Sequence, residues 1–401
     1  MTGWTATRQA GLDRLAGFAG RAGRAYADGR NHDRGPGNHR AVSGLAPWIR
    51  YRLISEREVV AAVLSAHGPD QAEKFIQEVF WRTYWKGWLE HRPQVWAAYR
   101  ERLDRLRGHL DDDHYRQAIL GKTGLQAFDS WADELVETGY LHNHARMWFA
   151  SIWVFTLELP WELGADFFYR HLMDGDPASN TLSWRWVAGL QTIGKPYLAR
   201  PENIRTFTDG RFDPGDALNE TAAPLPAQPH PEARTLTLPE PTALPDQAKL
   251  LVTEDDLLVD WLVEGETPLA EIILYKPSDR SGLGPLGKAA MNFREGAFRQ
   301  AFEHLAVRFG RAPRMVTSPC DLSEVLSGQG PVVTPHPVVG PVRDEIKSAL
   351  AQLEQSGRLI RVLSDWDRLC WPHATKGFFA FKKQIPDLLG ALDLPSGPGS
   401  A

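Results

Sequence analysis

The spacing of hydrophobic and polar residues divides the chain into two regions of different secondary structure. Up to about residue 212, hydrophobic residues recur every three or four positions, which predicts amphipathic helices. Breaks rich in Gly and Asn separate these segments, and few stretches alternate as strands do. The helical-period segments include Arg8–Asp28, Glu56–Ala66, Gln71–Glu90, Trp131–Glu137, Asn143–Leu157 and Leu163–Leu172.

After residue 248 the pattern changes to short runs of β-branched and aliphatic residues. Amphipathic helices at Asn292–Phe309 and Val342–Glu354 lie between some of these runs. Strands that alternate with helices predict an α/β fold with a parallel sheet. The predicted strands are Lys249–Val252, Glu271–Tyr275, Arg314–Thr317, Val332–Thr334 and Leu359–Leu363.

The two regions are separated by residues 213–248, which contain eight prolines together with Ala, Glu and Thr. This composition predicts an extended, exposed linker. The sequence therefore predicts a helical domain over 1–212, a linker over 213–248 and an α/β domain over 249–401, without internal repeats.

The composition is that of a soluble globular protein, with 43% hydrophobic and 24% charged residues. No run approaches the ~18 apolar residues of a membrane span, and the N-terminus lacks the apolar core of a secretory signal. The chain has two cysteines, Cys320 and Cys370, which excludes a disulfide framework and a cysteine-based metal site. The simplest location is a reducing cytoplasm.

Charge and aromatic content add two constraints. The net charge is -5, whereas a protein that binds DNA through its whole surface is usually basic. This balance predicts a local basic patch or no nucleic acid at all. Twelve of the 15 tryptophans lie before residue 190, so the helical region is compositionally distinct.

The first segment with potential chemistry runs from Tyr26 to Asn31 and continues over Gly37–Tyr51. A loop rich in Gly and Ser that enters a helix can present backbone N–H groups to a phosphate. Loops of this composition are more often plain turns, so both interpretations stay open.

The second segment places Glu78, Trp81 and Arg82 at i, i+3 and i+4, on one helix face. A carboxylate, an indole and a guanidinium together can bind an anionic aromatic ligand. The alternative is an amphipathic helix with a core tryptophan and a surface ion pair.

The third segment repeats this spacing with Asn143, Arg146 and Met147. His142 and His144 are two positions apart, so on a helix they point to different sides and do not form a shared metal site. Met147 is equally consistent with a core position.

In the fourth segment, the turn Asp174-Gly175-Asp176 is positioned to cap a following helix. Asp176, Asn180 and Trp184 then follow at successive i, i+4 positions. The alternative to a binding site is a simple cap followed by a face rich in tryptophan.

Together and in this order, the four segments resemble the flavin domain of the photolyase/cryptochrome family over roughly residues 4–200. TGYLHNHARM resembles the family's TGW-M-HN-x-x-R-M block, and DGDPASN resembles its DGD-x-A-x-N block. FWR resembles its WRE-type helix, and GLAPWIRY resembles its S-x-L-S-P-Y-L block. The resemblance implies a mainly helical domain that binds FAD and responds to blue light.

The resemblance also implies a set of residues for FAD. Arg82 matches a phosphate-side arginine, and Asp176 matches the acceptor for the flavin ring N–H and nearby ribityl groups. Asn180 matches the residue beside the ring nitrogen N5, where an amide supports the fully reduced flavin. The other matches are Tyr26, Ser43 and Leu45 near the phosphate and ribityl parts, Asn143 and Arg146 against the isoalloxazine, and Asp174 as the partner of that arginine.

Four further residues match positions at which cyclobutane-dimer photolyases hold the flipped lesion: Glu78, Trp81, Met147 and Trp186. A tryptophan face can stack on the dimer, and a partly desolvated carboxylic acid can hydrogen-bond the pyrimidine. Six-four photoproduct enzymes have histidines in place of Asn143 and Met147, which argues against that lesion. The implied reaction is electron donation from excited reduced FAD to the dimer, which needs no protein nucleophile or metal.

The resemblance further implies a photoreduction chain. Trp184 and Trp161 match its inner and middle members. The position of the outer member falls near Gly108, where there is no tryptophan. Trp131, Trp153 or a tyrosine can replace it, and the sequence does not choose among them.

The chain departs from the family pattern in several details: Val42, Thr83, Tyr140 and Thr181 stand where the family usually has Thr, Glu, Trp and Asn. The larger departure is the domain order, because the family normally begins with an α/β antenna domain. Residues 249–389 faintly resemble that domain, which implies either a relocated antenna domain with a second chromophore of unknown identity or a generic α/β domain.

The leading hypothesis is therefore repair of cyclobutane pyrimidine dimers in DNA, with single-stranded DNA as one substrate form, since flipping the lesion there costs less. The main alternative is a cryptochrome-like photoreceptor that binds FAD without repair. A third is a flavoprotein unrelated to light or a structural helical protein, which leaves the ordered motifs unexplained.

Overall fold

The computed structural model describes residues 4–239, 244–262, 268–277 and 282–394. Its first half is helical, as the sequence predicts. A good local example is the helix at 56–66, which begins with a capping box in which Ser55 and Glu58 satisfy each other's backbone N–H groups. The helices of this half are α1 (Arg8–Ala19), α2 (Arg24–Gly29), α3 (Ala46–Arg50), α4 (Glu56–Ala66), α5 (Pro69–His91), α6 (Pro93–Arg105), α7 (Asp113–Ile119), α8 (Gln126–Thr138), α9 (Asn143–Ser151), α10 (Trp161–His171), α11 (Pro177–Val187) and α12 (Pro201–Phe207).

Several predicted bounds differ from the structure. The predicted helix over 8–28 is interrupted between Gly20 and Gly23, since glycine disfavours a helix interior. The predicted helix over 143–157 ends as an α-helix at Ser151 and continues as a π-helical turn over Ile152–Thr156. Helices α6 and α7 were not predicted.

The second half contains a five-stranded parallel sheet in the order β3-β2-β1-β4-β5, so the predicted α/β fold is confirmed. This order places a topological switch point between the first and fourth strands, as in doubly wound sheets. The strands are β1 (Lys249–Thr253), β2 (Glu271–Tyr275), β3 (Arg314–Val316), β4 (Val332–Pro335) and β5 (Leu359–Val362).

The two faces of the sheet pack against different hydrophobic cores, since successive strand residues point to opposite sides. Leu251 and Ile273 belong to a local core with two of the helices of this half. Leu250 and Leu274 belong to a core shared with the helices of the first half. The helices of the second half are α13 (Lys288–Arg308), α14 (Pro319–Leu326), α15 (Pro341–Gln355), α16 (Asp365–Cys370), α17 (Phe378–Lys382) and α18 (Ile385–Ala391).

The end of the chain returns to the helical half and packs on α5. The ring of Trp366 stacks on Phe80 with centroids 4.7 Å apart. Gly87 allows the close approach, because a Cβ there would lie 2.9 Å from both the Trp371 Cδ1 and the Ala374 Cβ. Helix α5 is therefore contacted by elements from both halves.

The proline-rich segment, predicted over 213–248, has a 3-10 turn at Gly215–Ala217 and no α-helix or strand in its described part, 213–239 and 244–248. It lies along the end of α5, where the Arg234 N–H donates to the His91 carbonyl at 2.9 Å and the Arg92 side chain donates to the Pro231 carbonyl at 3.0 Å. Among the described residues, no helix combines the length and the apolar character needed to span a membrane.

Candidate flavin and lesion site

The turn at residues 174–176 caps α11, as predicted. The Asp176 carboxylate accepts a hydrogen bond from the Ser179 N–H at 2.7 Å. Arg50, fully buried at the end of α3, donates to the Gly175 carbonyl at 2.9 Å. The same guanidinium is paired with Glu254 at 3.1 Å, just after β1. The turn is thus held from both halves of the molecule.

Asp176 and Arg82 form the centre of a buried polar cluster. The Arg82 Nη2 lies 3.6 Å from the Asp176 Oδ2, which is too long for a hydrogen bond. Both atoms are buried without a hydrogen-bond partner, as are the Arg82 Nε and the Ser179 Oγ. Burial by itself raises the pKa of Asp176, but the charges of Arg82 and Lys86 lower it, so this carboxylate is ionised. Buried polar groups in folded proteins normally have partners, so this cluster fits a ligand that offers both donors and acceptors.

Asn180 lies on α11, one turn after the cap. Its Nδ2 donates to the Ala165 carbonyl of α10 at 2.8 Å. This hydrogen bond fixes the side chain between the two helices, which pack closely together because Gly164 faces Trp184. The amide oxygen and nitrogen therefore have defined directions.

Arg146 and Asp174 form a bidentate ion pair, with Nη–Oδ distances of 3.0 and 3.1 Å. The Arg146 Nε also donates to the Leu141 carbonyl at 2.9 Å. Asn143, the first residue of α9, is exposed in the structure. Both Asn143 and Arg146 were predicted to lie against the flavin ring. Arg146 is held in place by three hydrogen bonds, whereas Asn143 is exposed to solvent.

Of the three residues predicted near the phosphate and ribityl groups, Tyr26 lies on α2, and Ser43 and Leu45 lie just before α3. Tyr26 is buried, edge-on to Phe75 at 5.1 Å, and burial raises the pKa of its phenol. The Ser43 carbonyl accepts a hydrogen bond from Arg14 at 2.7 Å. Leu45 is buried directly before the helix.

Glu78 and Arg82 share a helix face but do not pair with each other. Glu78 instead pairs with Arg30, at 2.5 Å. Burial raises the pKa of Glu78, while the charges of Arg30 and Lys74 act in the opposite direction. The carboxyl group is consequently held where its protonated form is more accessible than in water.

The other three residues predicted to hold a lesion are partly buried. Trp81 stacks on Phe378 of α17, with ring centroids 3.6 Å apart and an interplanar angle of 13°. Trp186 stacks on Tyr197 at 5.6 Å. Met147 lies on α9, four residues after Asn143. One face of Trp81 is therefore covered by the C-terminal part of the chain.

Two rows of aromatic rings extend from the tryptophans predicted for electron transfer. Trp161 contacts Tyr99 at 5.5 Å, and Tyr99 contacts Trp96 of the same helix at 5.4 Å. Trp184 contacts Trp153 at 6.2 Å. A third candidate from the sequence, Trp131, stacks instead on Trp148 at 5.4 Å.

The crevice at the strand ends beside β1 and β4 is where open α/β sheets bind ligands. Here it is filled by charged side chains, including Arg52, Asp256 and Asp367. The space that remains among them is about 10 Å³, room for about one water molecule. This crevice does not accommodate a chromophore in the structure.

The family model for the FAD binding domain of DNA photolyase matches residues 75–217. This part of the chain is similar to the FAD binding domain of DNA photolyase. The match supports FAD as the cofactor, and the unpartnered donors and acceptors of Arg82, Asp176 and Ser179 fit it.

Curated relatives carry the name deoxyribodipyrimidine photo-lyase. The photolyase from Streptomyces griseus is 37% identical over 172 residues, which is 43% of this chain and 36% of the relative. The photolyase from Neurospora crassa is 30% identical over 229 residues, which is 54% of this chain and 36% of the relative. The chain thus spans little more than a third of the length of either relative.

A solved photolyase structure is also similar to part of this chain. A class III photolyase from Agrobacterium tumefaciens is 28% identical, with a TM-score of 0.43 over 51% of this chain and 43% of the photolyase chain.

Three groups that contact the candidate site were not predicted from the sequence. Arg30 lies in the first quoted segment, but nothing in its spacing indicates that it pairs with Glu78. Lys86 is buried on α5 one turn after Arg82, where its helical spacing is a usable signal. Phe378 lies about 300 positions from Trp81 in the sequence, so its contact depends on the tertiary fold alone.

Proposed function

We propose that the protein is a deoxyribodipyrimidine photo-lyase that repairs cyclobutane pyrimidine dimers in DNA with FAD and blue light. The observation that carries the proposal is the arrangement on α5. Glu78 and Trp81 share one helix face with Arg82, which belongs to the flavin cluster. A lesion held by the first two residues therefore lies next to the cofactor.

The residues of the chain have distinct parts in this proposal. Arg82, Asp176 and Asn180 bind and orient the cofactor through charge and hydrogen bonds. Bound FAD supplies one-electron chemistry driven by light. Glu78 donates a hydrogen bond to a pyrimidine carbonyl when it is protonated, and its raised pKa favours that state. Trp81 and Trp186 provide aromatic surface against the dimer.

A second candidate function, a photoreceptor that binds FAD without repair, is favoured by one observation. Phe378 already stacks on Trp81 at 3.6 Å, so a dimer can use only the remaining accessible part of that indole. A receptor does not need this surface at all. The two functions share the flavin site and differ only on the lesion side.

Light-dependent repair of an oligonucleotide with one thymine dimer tests the proposal. We expect chemically reduced protein to restore the thymines in blue light and not in the dark, in single-stranded substrate at least as well as in duplex. The variant Glu78→Ala/Trp81→Ala should retain the flavin and lose most repair. Asp70→Ala, an exposed carboxylate in the first turn of α5, is the matched control.

The outcomes separate the two functions. Repair by the wild type that is abolished in the double variant supports the photolyase. If the double variant repairs as well as the wild type, the assignment of the lesion side is wrong. A flavin-loaded, light-responsive protein that repairs neither substrate is a photoreceptor.

A further inference from the structure

The C-terminal segment Lys376–Lys383, here called the aromatic–basic segment, lies along α5 next to the proposed lesion side. Phe378 stacks on Trp81, and the Tyr84 hydroxyl donates to the Lys376 carbonyl at 2.8 Å. Towards the other end of α5, Lys382 pairs with Glu73 at 3.0 Å. The segment therefore runs antiparallel to α5.

Helical geometry places this segment at the border of the proposed site. With about 100° between successive residues, Glu78 and Arg82 lie on one side of Trp81, and Phe80 and Tyr84 lie on the other. The segment packs on the second side, where Phe381 contacts both Phe80 and Tyr84. Trp81 is thus the boundary between the lesion side and the aromatic–basic segment.

The segment presents one aromatic ring to solvent between two free lysines. Phe378 and Phe381 are buried, but Phe379 is 82% exposed. Lys376 and Lys383 are exposed as well, at three residues before and four residues after it. Glu73 of α5 is neutralised by Lys382, and residues 368–386 contain no acidic residue. The local charge is therefore positive, although the chain as a whole carries -5.

Resting on the proposed function, we propose that the aromatic–basic segment is part of the DNA-binding surface. Phe379 stacks on an unpaired base that flanks the lesion, and Lys376 and Lys383 contact phosphates. An aromatic face within a positively charged strip is the arrangement by which proteins bind single strands, because every base offers a face to stack on. The segment lies outside residues 75–217, the part matched to the FAD-binding domain.

Charge favours DNA over a protein or a second copy of this chain as the occupant. The buried centre of a protein interface is depleted in lysine, whereas here lysines flank the only strongly exposed aromatic side chain among the described residues. Single-stranded DNA fits both the lysines, through its phosphates, and the aromatic ring, through its unstacked bases.

The first test is binding of a single-stranded oligonucleotide with one thymine dimer, measured in the dark with flavin-loaded, full-length protein. We expect Phe379→Ala to weaken binding by about fivefold or more, as loss of one base stack does. Val307→Ala removes another strongly exposed apolar side chain, on α13, and should bind like the wild type. Flavin content should be equal in all three proteins.

The second test is the salt dependence of the same binding. Loss of two phosphate contacts to a single strand lowers the slope of log K against log salt by about 1.4, which we expect for Lys376→Ala/Lys383→Ala. The control Lys122→Ala/Lys347→Ala removes two exposed lysines outside the segment and should leave the slope unchanged.

These measurements separate this inference from the proposed function. If the wild type binds and repairs the dimer and both segment variants match it, the segment is not a DNA surface, while the photolyase proposal stands. If the wild type binds no oligonucleotide, both fail. If Phe379→Ala instead abolishes a self-association seen by sedimentation and leaves DNA binding intact, the surface joins two copies and this inference is overturned.

Discussion

At the scale of single residues, the site depends on buried charges whose partners come from distant parts of the chain. Asp174 is bound twice by Arg146, and Asp176 is kept ionised by Arg82 and Lys86. Removing one partner of a buried ion pair destabilises a protein more than replacing both partners with apolar residues. The roles of these residues can therefore be separated by single and double replacements.

Asp174→Ala should lower the free energy of unfolding by roughly 3 kcal/mol, because it leaves the Arg146 guanidinium partly buried without its carboxylate. Arg146→Met/Asp174→Leu should recover most of this loss. The measurement is urea unfolding followed by tryptophan fluorescence, with and without added FAD. A double variant as unstable as the single one would show that the pair is not the cause.

The pKa of Asp256, in the charged crevice of the sheet, leads to a second prediction at this scale. Burial and the neighbouring Asp367 raise the pKa of Asp256 to about 6, against the pull of Arg52. Between about pH 4 and 6 the folded protein then holds a proton that the unfolded chain has released, so this group's contribution to stability falls as pH rises through that window.

Asp256→Asn should remove this contribution. The difference in unfolding free energy between pH 4.5 and 7.5 should change by roughly 2 kcal/mol or less relative to the wild type. Asp387→Asn replaces an exposed carboxylate and should keep the wild-type difference. Identical pH dependence in Asp256→Asn would argue against the raised pKa.

At the scale of elements, local patterns predicted more than long-range contacts did. The bounds of α4 and the positions of the five strands follow from periodicity, and the cap of α11 follows from Asp176 and the residues after it. Helix α6 was missed although its apolar residues lie on one face. The pairing of Arg30 with Glu78 and the stacking of Phe378 on Trp81 were beyond prediction, because no spacing along the chain encodes which helices become neighbours.

The packing of α6 on α10 suggests a candidate for the outer member of the electron-transfer chain that the sequence predicts. Trp161 of α10 touches Tyr99 of α6, which touches Trp96. Phenylalanine is much harder to oxidise than tyrosine or tryptophan. Tyr99→Phe should therefore slow light-driven flavin reduction by about tenfold or more, measured from flavin absorbance with an external thiol reductant.

Trp153→Phe is the matched comparison, since Trp153 contacts Trp184 on the other aromatic row. It should leave the rate close to that of the wild type. A slow Trp153→Phe together with a normal Tyr99→Phe would assign electron transfer to that row instead.

At the scale of the whole molecule, the two halves are joined through buried contacts rather than through the proline-rich segment alone. One hydrophobic core contains residues of both halves, and Arg50 connects the flavin turn to the end of β1. The flavin site is therefore expected to report on the integrity of the α/β half. The contacts between the end of α5 and the α/β half allow the most direct test of this expectation.

Glu90, near the end of α5, connects this helix to the α/β half. Its carboxylate accepts hydrogen bonds from the Val339 N–H at 2.5 Å and from Arg343 at 3.1 Å, and it lies 3.4 Å from the His336 Nε2. Burial alone would raise the pKa of Glu90, but His336, Arg343 and the Val339 N–H lower it to about 2. Its contribution to stability is therefore complete above the pKa of about 4.3 of the unfolded chain and is lost as pH falls towards 2.

Glu90→Gln should consequently lower the free energy of unfolding at neutral pH by roughly 3–5 kcal/mol and weaken the connection between the halves. In the wild type, loss of flavin absorbance and loss of helical circular dichroism should coincide during urea unfolding, because the shared core makes the molecule one cooperative unit. In Glu90→Gln the two signals should separate. Glu101→Gln, an exposed glutamate on α6, should behave as the wild type. Coincident transitions at an unchanged midpoint in Glu90→Gln would mean that the hydrophobic core alone joins the two halves.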